Sequence, residues 1–206
     1  MSHFRSDIRQ RSVDVIALYP QARSAMLPLL HLAQEQDGYL TDEGIAEVAE
    51  LTNTTPADVR GTASFYDMFH LDPVGKYVVS ICTNIACLLA GGEELLEHAG
   101  TSLGCAVGGT SNDGLFTLEE AECLADCDIA PCVQVNHRYV RSATAESFDT
   151  MVQELRDGKL DHDVPSHGTL VRVRRSVGLR APREEVVSQR AKAREERLAR
   201  TPKEEK

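Results

Sequence analysis

Four of the six cysteines in this chain form two close pairs. Four residues separate Cys82 from Cys87, and three residues separate Cys123 from Cys127. Residues 77–81 are apolar enough to form a strand that leads directly into Cys82, which places the first pair on a loop at a strand end. Four thiolates from two such loops provide a closed set of soft ligands, suited to an iron–sulfur cluster or to zinc.

The spacing within the pairs bears on the choice between these metals. Structural zinc sites usually take their cysteines from short C-x2-C knuckles. The C-x4-C of Cys82 and Cys87 instead matches the first ligand pair of plant-type ferredoxins. The chain contains no C-x2-C, which argues against a thiol-disulfide enzyme. The pattern therefore favours an iron–sulfur cluster, and the alternative from another class is a zinc-stapled interaction module.

The other cysteines and the histidines are interpreted as structural residues. Cys105 and Cys132 are expected to pack as small apolar side chains, although Cys132 is close enough in sequence to Cys127 to replace it as a ligand. A Rieske centre needs paired histidines beside its cysteines. His98 and His137 lie outside both cysteine pairs, so we interpret them as surface or core residues.

The elements that position the first cysteine pair begin with a predicted helical bundle over residues 1–72. Apolar residues recur at helical spacing up to a stop at Gly38, and Pro28 within that run implies a kink or a later helix start. A second helix is predicted over 42–51. A third begins with Thr55 as its N-cap.

From residue 73 to residue 158 the pattern changes to a mixed α/β domain, so the predicted fold class is α+β. The predicted elements are, in order, a strand at 77–81, a helix ended by Gly100, a strand at 115–118, a hairpin of 133–135 with 139–140, and a helix at 144–157. Residues 159–206 are predicted to be a charged, disordered tail. Within it, residues 170–174 alternate like an edge strand that a partner could pair with.

Charge and hydropathy limit the classes of partner. The net charge is −10 although the tail is basic, so the body is strongly acidic and binding to nucleic acid is not expected. No apolar run reaches the ~18 residues that span a bilayer. The first residues also lack the apolar core of a secretory signal. We therefore expect a cytoplasmic protein whose cysteines stay reduced.

The chain resembles the E-subunit family of NADH-quinone oxidoreductase, the thioredoxin-like 2Fe-2S ferredoxins of respiratory complex I. The matching stretches lie within residues 22–157 and are 38–40 (GYL), 64–66 (SFY), 75–77 (GKY), 82–87 (CTNIAC), 113–118 (DGLFTL), 122–123 (EC) and 127–131 (CDIAP). The resemblance implies a thioredoxin-like fold for the second domain. It also implies that a 2Fe-2S cluster is ligated by Cys82, Cys87, Cys123 and Cys127.

The resemblance implies a function and partners as well. The chain is expected to exchange one electron with the flavin of a partner flavoprotein that binds FMN and NADH, and to adjoin further iron–sulfur subunits of the peripheral arm. It would contact the membrane only through that complex, on the cytoplasmic face of the inner membrane. The equivalent diaphorase subunit of an NAD-linked formate dehydrogenase or an NAD-reducing hydrogenase is the alternative within this class.

One departure from the family lies beside Cys127. The family usually has glycine on both sides of this cysteine, whereas the chain has Asp126 and Asp128. A position that needs positive φ accepts Asp less readily than Gly. Two carboxylates near a cluster are also expected to lower its reduction potential if they point inward.

Overall fold

The computed structural model describes residues 2–140 and 142–164. The helices in this part of the chain are α1 (Ser6–Ile16), α2 (Met26–Asp37), α3 (Asp42–Thr52), α4 (Pro56–Phe65), α5 (Ile85–Leu89), α6 (Gly92–Leu103) and α7 (Ala145–Arg156). The strands are β1 (Tyr77–Cys82), β2 (Phe116–Ala121), β3 (Val133–Val135) and β4 (Arg138–Val140). The predicted edge strand at 170–174 and most of the predicted tail lie outside the described residues.

Local signals account for the helix starts in the N-terminal part. Thr55 and Asp58 form a reciprocal capping box at the start of α4, with Pro56 in the first turn. Pro28 is the third residue of α2, where a missing N–H leaves no helical hydrogen bond unmade. The later helix start implied by Pro28 is therefore what the structure shows.

The first four helices enclose one hydrophobic core. Its fully buried members include Ile8 from α1, Leu29 from α2, Val48 from α3 and Val59 from α4. Each helix thus turns one apolar face inward, as expected for amphipathic helices that pack together. The sequence predicted helices corresponding to α2, α3 and α4, but it gave no separate bounds for α1.

A mixed four-stranded sheet follows, with strand order β2-β1-β3-β4. β1 pairs with β2 in parallel and with β3 antiparallel, and β3 and β4 form the predicted hairpin. The parallel pair requires a crossover, which α5 and α6 supply. The helices before a mixed sheet confirm the predicted fold class.

The second hydrophobic core lies between the sheet and its helices. It includes Val79 of β1, Leu118 of β2, Leu95 of α6 and Phe148 of α7. The core extends to Val164, which is 8% exposed. In the described residues, no helix has the length and apolar character needed to cross a membrane.

One predicted helix boundary was wrong. α6 continues through Gly100 to Leu103 and ends where Gly104 adopts φ +69°. A Cβ atom at Gly100 would lie 3.3 Å from the carbonyl oxygen of Cys105. Gly100 is therefore consistent with close packing of the chain against the helix, and Gly104 supplies the left-handed stop.

Candidate metal centre

The first cysteine pair lies where β1 passes into α5. Cys82 is the last residue of β1, and Cys87 lies in α5, which Asn84 caps by accepting a hydrogen bond from the Ile85 N–H at 2.7 Å. The loop expected after the strand is thus largely a short helix. Cys82 is 2% exposed and Cys87 is 1% exposed, so both thiols face the interior.

A glycine holds this segment close to the next helix. A Cβ atom at Gly92 would lie 2.6 Å from the carbonyl oxygen of Cys82 and 2.8 Å from that of Cys87. Any larger residue at the start of α6 would displace the backbone of both cysteines. The position of the first pair therefore depends on a close approach that only glycine allows.

The second pair follows the adjacent parallel strand. Cys82 is in register with Ala121, the last residue of β2, so the two strands end at the same edge of the sheet. The Cys82 thiol donates to the carbonyl oxygen of Glu122 at 3.7 Å. Cys123 and Cys127 are exposed, in contrast to the first pair.

The pKa shifts show which thiols influence one another. Burial, followed by smaller contributions that include Cys82, raises the pKa of Cys87. Desolvation, followed by the charges of Cys123 and Cys82, raises the pKa of Cys127. Cys82 therefore affects both Cys87, its partner in the first pair, and Cys127 of the second pair. A bound metal would reverse both shifts, because its positive charge favours thiolates.

A third buried thiol adjoins the first pair. Cys132 is 1% exposed and packs in one cluster with Cys82 and Cys87. Its carbonyl oxygen accepts a hydrogen bond from the Cys82 N–H at 3.1 Å, and its thiol donates to the carbonyl oxygen of Asp126 at 2.9 Å. Burial and the proximity of Cys87 raise the pKa of Cys132 to about 12. Cys132 thus links the two cysteine-bearing segments.

The remaining residues singled out by sequence lie elsewhere. Cys105 is partly buried against the second core, and burial raises its pKa. His98 forms a 3.0 Å contact with Asp149. His137 lines a cavity beside Cys123.

The described residues contain no group of three or more His, Cys, Asp or Glu side chains arranged to hold a metal ion. The structure brings Cys82 and Cys87 together with Cys132 in a buried cluster, and it leaves Cys123 and Cys127 at the surface nearby. The four-cysteine ligand set therefore stays a prediction. The donors nevertheless fit a thiolate-bound cluster, since soft sulfur ligands from two adjacent segments are what such a cluster needs.

The backbone before Cys127 has one residue with positive φ. The residue with positive φ is Ala125, at 58°, whereas Asp126 has φ −126°. The strained position is therefore the second residue before Cys127, not its direct neighbours. Asp126 is half-buried and its charge contributes to the raised pKa values of Cys127 and Cys132, whereas Asp128 is exposed.

Sequence reasoning missed a polar cavity of about 490 Å³ beside Cys123. His70 and His137 line it together with Glu119, whose Oε1 lies 3.5 Å from Nδ1 of His70. Burial lowers the pKa of both histidines and raises the pKa of Glu119. No motif marks this group, because the histidines come from segments far apart in sequence.

The mixed sheet, the preceding helices and two cysteine pairs near the ends of neighbouring parallel strands are the arrangement expected of a thioredoxin-like iron–sulfur protein. Residues 13–156 match the model of one family, described as thioredoxin-like [2Fe-2S] ferredoxin. The chain belongs to this family. Its membership confirms the resemblance found in the sequence and the expected cofactor class, a 2Fe-2S cluster.

Two relatives of similar sequence are subunits of NADH-quinone oxidoreductases. The chain is 42% identical over 143 residues to the E subunit of NADH-quinone oxidoreductase from Mycobacterium tuberculosis, covering 69% of this chain and 57% of that protein. It is 40% identical over 149 residues to NADH-quinone oxidoreductase subunit 2 of Thermus thermophilus, covering 71% and 82% of the two chains. The chain therefore spans little more than half of the mycobacterial relative.

A solved structure of NAD+-reducing [NiFe]-hydrogenase in its air-oxidized state also resembles the chain. The TM-score is 0.59 at 22% sequence identity, covering 65% of this chain and 23% of that one. At this level of identity the likeness concerns the fold.

Proposed function

We propose that this chain is an electron-transfer subunit of an NADH:quinone oxidoreductase and holds a 2Fe-2S cluster through Cys82, Cys87, Cys123 and Cys127. The observation that carries the proposal is the common edge of β1 and β2, where both cysteine pairs follow the ends of neighbouring parallel strands. The names of the relatives support the assignment to this oxidoreductase.

The cluster, when bound, supplies a centre that accepts and releases one electron at a time. The chain's own residues supply ligands and control their surroundings. Burial raises the pKa of the Cys87 thiol, and the main chain of Cys132 partly opposes that rise. Burial of Cys82 and Cys87 shields two sulfur ligands from water, which is one of the factors that set cluster potentials.

The two-electron step belongs to a partner. Hydride transfer from NADH requires a nicotinamide site and a flavin, and the sequence has no G-x-G-x-x-G motif. We infer a flavoprotein subunit that binds FMN and NADH, with further iron–sulfur subunits beside it, on the cytoplasmic face of the inner membrane. Within the chain, residues 1–72 would form the bundle, 73–158 the ferredoxin domain and 159–206 a tail whose first residues, 159–164, pack against the ferredoxin core.

An NAD-linked hydrogenase or formate dehydrogenase is the second candidate assembly for this chain. The fold likeness to NAD+-reducing hydrogenase is consistent with the same electron-transfer unit in a hydrogenase or in an NAD-linked formate dehydrogenase. A zinc-stapled interaction module is the alternative that involves no electron transfer.

The test is an EPR spectrum of the anaerobically purified, dithionite-reduced full chain, with iron, zinc and labile sulfide measured on the same sample. We expect an S = 1/2 signal and about two irons per chain. Cys82→Ala and Cys123→Ala are expected to lose the cluster, and Cys105→Ala, the matched control, to keep it. One zinc with no EPR signal would refute the proposal, and bleaching of the Cys105 variant but not the Cys123 variant would refute the ligand set.

A further inference from the structure

Helix α5 turns its apolar face towards solvent. Ile85, Leu88 and Leu89 are 72%, 40% and 83% exposed, and their spacing of three and four residues places them on one side of the helix. Cys87, on another side, is 1% exposed. A surface helix normally buries its apolar side chains, whereas α5 exposes these three to solvent. We refer to Ile85, Leu88 and Leu89 as the α5 ridge.

The α5 ridge is fixed relative to the cysteines. The backbone N–H of Ala90 donates to the carbonyl oxygen of Cys87 at 3.1 Å, and that of Gly91 donates to the carbonyl oxygen of Leu88 at 3.1 Å. The close approach at Gly92 holds the same turn against Cys82 and Cys87. A partner that contacts the ridge is therefore held at a defined position from the proposed cluster ligands.

A shallow groove begins where the α5 ridge ends. Its volume is about 430 Å³, and small or apolar residues contribute much of its lining, among them Ala90, Gly91, Leu95, Ala130, Pro131 and Ala143. Among its described lining residues, Glu94 carries the charge. The α5 ridge and the groove together form an apolar surface with a protrusion and a depression. Such a surface can pack closely against a complementary one, as the centre of a protein interface requires.

The charged residues near the α5 ridge indicate which kind of partner surface can bind there. Glu93 and Glu94 are exposed in the first turn of α6, directly after α5. A second copy of the chain would bring the same carboxylates against these, and like charges disfavour such contacts. A surface with an apolar centre and basic residues around it is complementary.

We propose that the α5 ridge and its groove form the docking surface for the flavoprotein subunit, which would present an apolar patch bordered by Lys or Arg. The inference rests on the proposed function, because electron exchange requires the flavin close to the cluster and α5 carries one of the proposed ligands. Apolar patches of this kind on soluble proteins commonly mark interaction sites. The ridge supplies the large side chains that anchor an interface, and Glu93 and Glu94 supply its polar rim.

The experiment uses the tagged full chain produced in its native host, with FMN measured per chain after mild affinity purification, and with iron measured on the same chain produced alone. Leu89→Asp and Ile85→Asp are expected to lower co-purified FMN roughly tenfold or more, while the chains produced alone keep the iron content of the wild-type chain. Leu18→Asp is the matched control, because Leu18 is 68% exposed but lies beside the helical bundle. It is expected to retain the FMN.

Undiminished FMN in both ridge variants would overturn the docking surface and leave the proposed function standing. Wild-type chain that carries iron but no FMN would overturn the proposed partner itself, and the docking surface with it. If Leu89→Asp loses iron, Leu89→Ser removes the apolar side chain without adding charge, and unchanged FMN in that variant would refute the proposal. A dimer of the isolated chain that Leu89→Asp dissociates would assign the ridge to a second copy instead.

Discussion

At the scale of single residues, the two aspartates beside Cys127 have different surroundings. Asp126 is half-buried, and its carbonyl oxygen accepts a hydrogen bond from the Cys132 thiol at 2.9 Å. Its charge also contributes to the raised pKa values of Cys127 and Cys132. Asp128 is exposed, where water and salt screen its charge. Only Asp126 is therefore placed to act strongly on a bound cluster.

We predict that Asp126→Asn raises the reduction potential of the cluster and that Asp128→Asn changes it much less. A partly screened charge a few residues away contributes about 1 kcal/mol, which corresponds to about 40 mV for one electron. Protein-film voltammetry on both variants measures the difference. Equal shifts, or none for Asp126→Asn, would show that the Asp126 carboxylate does not influence the cluster.

At the scale of elements, the segment between Cys123 and Cys127 contains a strained turn. Ala125 has φ 58°, a left-handed conformation that costs an L-residue roughly 1–2 kcal/mol. This strain lies in the segment that carries the second cysteine pair, between β2 and the short 3-10 turn at Cys127–Ile129. The strained residue thus lies between the two proposed ligands of the second pair.

We predict that Ala125→Gly stabilises the holo-protein by up to about 1 kcal/mol, because glycine adopts positive φ without a Cβ clash. The matched control is Ala57→Gly in the exposed first turn of α4, which is expected to destabilise the protein by up to about 1 kcal/mol. Thermal unfolding followed by circular dichroism and cluster absorbance gives both values. A loss of stability in Ala125→Gly would mean that the extra conformational freedom of glycine in the unfolded chain outweighs the relief of strain at this position.

At the scale of the whole molecule, the described residues contain two main hydrophobic cores, one in the helical bundle and one under the sheet. The second core includes residues beyond α7. Val164 is buried and Leu160 packs against the same core, while Asp161 accepts hydrogen bonds from the hydroxyl of Tyr77 and the amine of Lys76. The segment 159–164 is therefore structurally part of the ferredoxin core.

We predict that a chain ending at residue 158 is less stable than one ending at residue 164. Burial of the Val164 and Leu160 side chains contributes about 2 kcal/mol, and the shorter chain loses it. Urea unfolding of the two chains, both starting at residue 1, measures the difference. Equal midpoints would mean that the contacts of 159–164 do not contribute to stability.

The sequence by itself determined the features that depend on neighbours in the chain. The capping box at Thr55, the hairpin of β3 and β4, and the approach of β1 to Cys82 all follow from signals within a few residues. The mixed α/β class of the second domain follows from the same local periodicities. The cluster was favoured by the spacing of Cys82 and Cys87, and the remaining ligands came from the family resemblance.

Tertiary structure decided the features that depend on residues far apart in sequence. The packing of Cys132 against Cys87 arises because β3 returns beside β1, and the contact of His70 with Glu119 arises because the segment after α4 meets the sheet. Local patterns carry no information on such contacts, because their free energy comes from groups that meet only after folding.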